Sequence, residues 1–136
     1  MGLAERRAIK AFQDEQYPEL KKAIDKIVGF DVKIDVQWDS LAEENMAHLY
    51  AEAFPKVYFS PLIEALRAIA ADKMGKDALK ASLKSIVICN VAHNYSANYA
   101  IAFENGVLKI DHEPVTNVDD VEERRSAIVA LLEKSL

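Results

Sequence analysis

The stretch SIVICNVAHNYSANYAIAF, Ser85 to Phe103, carries the chain's only cysteine and one of its three histidines. Cys89 and His93 are the residue types of a thiol nucleophile and its base, and Asn90 and Asn94 carry amide donors of the kind that stabilise developing negative charge. Their setting opposes that chemistry. Cys89 closes the unbroken apolar run Ile86-Val87-Ile88, where a thiol behaves as a small hydrophobe with a raised pKa. Four residues of extended chain also place His93 roughly 13 Å from Cys89 unless the turn folds it back. Cys89 is therefore expected to be an inert core residue.

The segment VAHNYSAN after that run is longer than a minimal turn and mixes hydrogen-bonding side chains with a stiff aromatic. A loop of this kind offers its side chains to a partner while the flanking strands hold it in place. His93, Asn94 and Tyr95 are the candidate contacts, joined by Tyr99 and His112 if the loop closes over a pocket. The plainer expectation is an ordinary long connection with asparagines in left-handed conformations.

The three histidines, with Asp111 and Glu113, raise the question of a metal. Neighbouring strand residues face opposite ways, so Asp111 and His112 cannot easily grip one ion, and His48, His93 and His112 lie far apart in the chain. No HExxH, CxxC or EF-hand spacing is present, and no GxGxxG, P-loop or GxSxG motif either, so neither a metal nor a cofactor is assigned. In TNVDDVEER, Thr116 to Arg124, Asp119 and Asp120 fit the first turn of a helix, where carboxylates complement the dipole, as well as they fit magnesium.

Acidic residues outnumber basic ones 22 to 17, for a formal charge of -5. Lysines and arginines are interleaved with carboxylates, which disfavours nucleic acid as a partner and suits a basic protein. A single cysteine cannot form an internal disulfide, the start MGLAERRAIK has no apolar signal core, and no run reaches the roughly 20 apolar residues of a membrane span. These features point to a cytoplasmic protein with no membrane association. Residues 1–136 fit one globular domain.

Several elements must position these residues. Ile9, Phe12, Leu20, Ile24 and Ile27 recur at helical intervals up to Gly29, with Pro18 implying a kink or two helices meeting near Tyr17. Strict alternation in DVKIDVQW, Asp31 to Trp38, predicts a strand with one buried face. Ser40 and Glu43 fit a capping box for a helix bearing Leu41, Met46, Leu49 and Ala53 and stopping at Pro55. Ser60-Pro61 starts another helix running toward Gly75, after a bend in FPKVYFSP whose aromatics cap the core. A short helix over Lys76 to Leu83 leads to a strand over Ser85 to Val91, its apolar run predicting cover on both faces. Strands over Asn98 to Glu104 and Val107 to His112 flank Asn105-Gly106, a strong hairpin signal. Thr116 or Asn117 caps a last helix with Val121, Ile128, Leu131 and Leu132 on its apolar side.

The expected fold is α+β, with helices on a four-stranded, mainly antiparallel sheet in the order α-β-α-α-β-β-β-α. The favoured function is a small binding or interaction protein, regulatory or inhibitor-like. The alternative is a small ligand-binding domain or enzyme with a pocket between helices and sheet, using His93, Tyr95, Tyr99 and His112. A homodimer through a sheet edge or the terminal helix is a third possibility.

Overall fold

The computed structural model describes all residues, Met1–Leu136. Helices α1 (Leu3–Glu15) and α2 (Tyr17–Val28) meet at Gln16, with Pro18 in the first turn of α2, where its missing amide costs nothing. Gly29 ends α2 at φ 84°, a left-handed position that favours glycine. Strand β1 (Lys33–Val36) occupies the centre of the alternating segment, with Ile34 and Val36 partly buried and Lys33 and Asp35 exposed.

The middle of the chain departs from expectation. Ser40 caps no α-helix: Trp38–Leu41 is a single 3-10 turn, and the Ser40 hydroxyl donates to Gln37 O at 2.6 Å and accepts the Asn90 amide at 3.1 Å. The loop that follows is pinned by the Tyr50 hydroxyl, which accepts from Glu43 N and donates to Glu43 O. Met46 and Leu49 are accordingly surface residues rather than part of a buried stripe. Pro55 does not stop the helix. After a 3-10 turn at Ala47–Leu49, α3 (Tyr50–Phe54) passes through a π-helical turn, Pro55–Phe59, directly into α4 (Ser60–Ile69).

The reason lies in the two prolines. Each lacks the amide that a continuous α-helix needs, and the widened turn, in which Ser60 N donates to Pro55 O, absorbs the crowding. Phe54, Tyr58 and Phe59 are fully buried, as expected, but from a helix rather than a bend. Asp72, not a residue near Lys76, starts α5 (Lys73–Ser82) by accepting Gly75 N at 2.8 Å.

The sheet is mixed, in the order β1-β2-β4-β3. β1, β2 (Ser85–Cys89) and β4 (Val107–Asp111) run parallel, and only β3 (Ile101–Glu104) is antiparallel to its neighbour β4. This overturns the mainly antiparallel sheet and the order α-β-α-α-β-β-β-α, since two helices precede β1 and a short helix separates β2 from β3, while keeping the α+β class. The Asn105-Gly106 turn, at φ 53° and 80°, makes the expected hairpin. The eleven-residue connection before β3, which includes the short helix α6 (Ala97–Ala100), is long enough for β4 to insert between β2 and β3. Residues Ala97–Ala100 are thus helical where a strand was expected to begin.

Register aligns Ile34, Ile86, Leu108 and Phe103 in one row and Val36, Ile88, Ile110 and Ile101 in the next, all on the face that joins the helical core. On the other face Lys33, Asp35, Lys109, Ala102 and Glu104 are exposed, so β2 is not covered on both sides. The molecule has two layers, helices on one face of the sheet only. The last helix, α7 (Val121–Ser135), packs along α4 and β3. No helix is long and apolar enough to cross a membrane.

Candidate functional site

The ends of the parallel strands β2 and β4 lie side by side, with Cys89 opposite Asp111. In open sheets this carboxyl end is where side chains from successive connections converge. Asp111 is buried, and its carboxylate accepts Val91 N at 2.8 Å and Ala92 N at 3.1 Å. These bonds fold the first residues of the loop back over the strand ends. His93 takes a left-handed conformation, φ 56°, and Asn94 then donates from Nδ2 to Asp111 O at 3.0 Å while its own carbonyl accepts Glu113 N at 2.8 Å. Asn117, also left-handed, donates from Nδ2 to Tyr95 O at 2.6 Å. The anchors of Val91–Tyr95 all come from the segment Asp111–Asn117, while Asn90 before them is held by Ser40.

That segment is held in turn from beneath. Arg124 is buried, with no carboxylate in ion-pair distance, and donates to three carbonyls: Asn117 O at 2.8 Å, Val118 O at 2.7 Å and Lys56 O at 3.2 Å. Lys56 O has no amide of its own to accept: Ser60 N is spent on Pro55, and Pro61 has none. The guanidinium thus satisfies the carbonyl that the π-helical turn orphans, and ties α7, the 117–118 turn and the long helix together. Arg124 was missed in the sequence, although it lies four positions before Ile128 and eight before Leu132, on the buried stripe of α7.

His112 is fully buried; in the neutral ring its Nδ1 donates to Glu113 O at 2.6 Å, which leaves Nε2 unprotonated. Burial, aided by the Arg124 charge, pushes its pKa below the ordinary histidine value despite the Glu113 carbonyl. Tyr58 donates to His112 O at 2.6 Å, and burial raises its phenol well above the usual range. His112 Nε2, Asn90 Oδ1 and Arg124 Nε make no hydrogen bond.

The candidate residues divide into two groups. His93, Tyr95 and Tyr99 are exposed, Tyr95 by 64% and Tyr99 by 79%, whereas His112 has no exposed surface. They do not line one concave pocket. Asn94, half-buried, is an anchor of the loop rather than a free contact. Val91, 61% exposed, joins the exposed group and was not singled out from the sequence. Cys89 is buried, and burial together with Asp111 raises its thiol pKa, which removes it from the exposed His93.

No three His, Cys, Asp or Glu residues come together in a metal-binding group. Asp119 is exposed and pairs with Lys56 at 2.9 Å, and that hydrogen bond lowers its pKa. Neither Thr116 nor Asn117 caps α7: the Thr116 hydroxyl donates to Glu113 Oε2 at 2.7 Å, and Asp120 occupies the cap position without a side-chain bond. Comparison of the chain with protein-family models, with curated proteins and with solved structures gave no match.

Proposed function

We propose that the chain is a small protein-binding protein, regulatory or inhibitor-like, whose contact surface is the loop Val91–Tyr99. One observation carries the proposal: Val91, His93, Tyr95 and Tyr99 project outward from a backbone held by Asp111, Glu113 and Asn117. Exposed aromatics on a pinned loop supply contact area at low entropic cost, because little ordering remains to be lost on binding. The net charge of -5 suits a basic partner and a fast, steered encounter. A buried His112 and a protonated Cys89 leave no exposed nucleophile and base pair on this surface to favour catalysis.

The test is affinity capture with the purified chain as bait, wild type beside the double variant Tyr95→Ala/Tyr99→Ala, with retained proteins identified by mass spectrometry. Both side chains are exposed, so the double variant should melt at the wild-type temperature. Proteins retained by the wild type should be lost from it. An unchanged set of retained proteins would discard the loop as the contact surface.

A further inference from the structure

A hollow of about 470 Å³ opens between α2, the end of α4 and the start of α5, and three cations but no carboxylate line it. Lys26, Arg67 and Lys76 are those cations, while Ala23, Ile27 and Ala70 give it an apolar floor. Small-ligand sites run from about 300 to 1,000 Å³, so the volume suits one. The hollow shares no residue with the contact loop.

In a chain with a net charge of -5, three cations around one concavity are a local reversal of sign. Lys26 and Arg67 lie in the last turns of α2 and α4, where the helix dipole favours a cation. Lys76 has no such reason to be there. It lies in the first turn of α5, where the positive end of the dipole opposes it, and that turn also holds Lys73 and no acidic residue.

The neighbouring carboxylates are committed elsewhere. Asp25 pairs with Lys21 and accepts Val32 N, Asp77 pairs with Lys73 at 2.6 Å, and Asp72 accepts Gly75 N at 2.8 Å. Glu64 pairs with Arg67 at 2.5 Å, which leaves Lys26 and Lys76 without an ion-pair partner. Gly75 brings α5 close enough to place Lys76 on this rim: a Cβ there would fall 1.7 Å from Ile69 O at the end of α4. The fold thus gathers like charges whose repulsion a bound anion would relieve.

We infer that the hollow binds a small amphipathic anion, a carboxylate or phosphate head on an apolar body. The head lies among Lys26, Arg67 and Lys76, and the body covers Ala23, Ile27 and Ala70. A neutral ligand would leave the cations unmatched, and a bare inorganic anion would leave the apolar floor uncovered.

Titration of the isotope-labelled chain, followed by amide shifts in nuclear magnetic resonance, tests this with four probes. Octyl phosphate or octanoate should shift the amides of residues 23–27 and 70–76 saturably, and the tighter of the two assigns the head. Octanol and inorganic phosphate at the same concentration should leave those amides in place. Lys26→Gln/Lys76→Gln changes two exposed side chains and should keep the wild-type melting temperature while weakening the amphiphile about tenfold or more. Ala71→Glu sets a carboxylate at the exposed rim and should weaken it likewise. Octanol or inorganic phosphate binding as tightly as the amphiphiles would overturn the inference. So would affinity unchanged in both variants, shifts confined to residues 91–99, or no saturable shift with either amphiphile.

Discussion

The chain reverses direction on both sides of β3, and the two reversals are held by different means. The turn after β3 is two residues, Asn105-Gly106, set by local conformation: both adopt positive φ, and the Gly106 carbonyl is then tied to the start of β2, accepting Lys84 N at 2.8 Å and Ser85 N at 3.3 Å. The connection before β3 is eleven residues and closes almost no bonds within its first half. It is held by Ser40 at its first residue and then by Asp111, Glu113 and Asn117, and that last segment is held by Arg124. A two-residue turn needs the right local conformations. A long loop needs a scaffold built by distant residues, and that scaffold leaves its aromatic side chains free to face outward.

Removal of Arg124 should break the scaffold and have the largest effect. Arg124→Met leaves three carbonyls without their donor, a loss on the order of 3 kcal/mol or more, read as a lowered denaturation midpoint. If the variant keeps wild-type stability, the scaffold is not what supports the loop. Asp111→Ala should cost less, about 2 kcal/mol, from orphaning the Val91 and Ala92 amides. Faster amide exchange should be confined to the loop, and an effect spread across β2 and β4 would blur the contrast between the two connections.

Gly106→Ala probes the other reversal. At φ 80° an added Cβ is strained, and it would lie 2.8 Å from Ser82 O, so a loss of about 1 to 2 kcal/mol is expected in the melting temperature, with loop exchange unchanged.

A pH series separates the layer under the loop from the surface. His112 is buried neutral with its pKa lowered, so the unfolded chain binds more protons at acid pH. Its contribution should be fully present above the unfolded value near 6.5 and should fade as pH drops from there toward the folded value. Protonation would bury a charge that both desolvation and the Arg124 charge oppose. Melting temperatures measured from pH 8 to 5 should fall more steeply for wild type than for His112→Gln. Equal slopes would show that this histidine does not govern acid sensitivity. The smallest effect belongs to the surface itself: Tyr95→Ala should change stability by no more than about 0.5 kcal/mol, and a larger loss would mean that Tyr95 supports the loop rather than being displayed by it.

Legibility followed the range of the interactions. The break at Pro18, the stop at Gly29, the β1 alternation and the Asn105-Gly106 hairpin were readable because each depends on residues within a few positions. The capping box at Ser40 and Glu43 misled because its residues found distant partners, Ser40 at Asn90 and Glu43 at Tyr50. Of the site, the loop was legible as a polar and aromatic interruption between strands. The division into exposed Tyr95 and Tyr99, anchoring Asn94 and buried His112 was not.

By itself the sequence determined the helix and strand periodicities, the acidic balance, the two-residue hairpin and the place of the loop, since local sterics and patterning suffice for these. Tertiary structure alone decided that β4 inserts parallel beside β2, that the long helix crosses two prolines through a π-helical turn, and that a buried arginine ties that helix to the 117–118 turn. Those outcomes depend on pairings between residues as many as 68 positions apart, such as Arg124 with Lys56. No window of neighbouring residues carries the energy of such a contact.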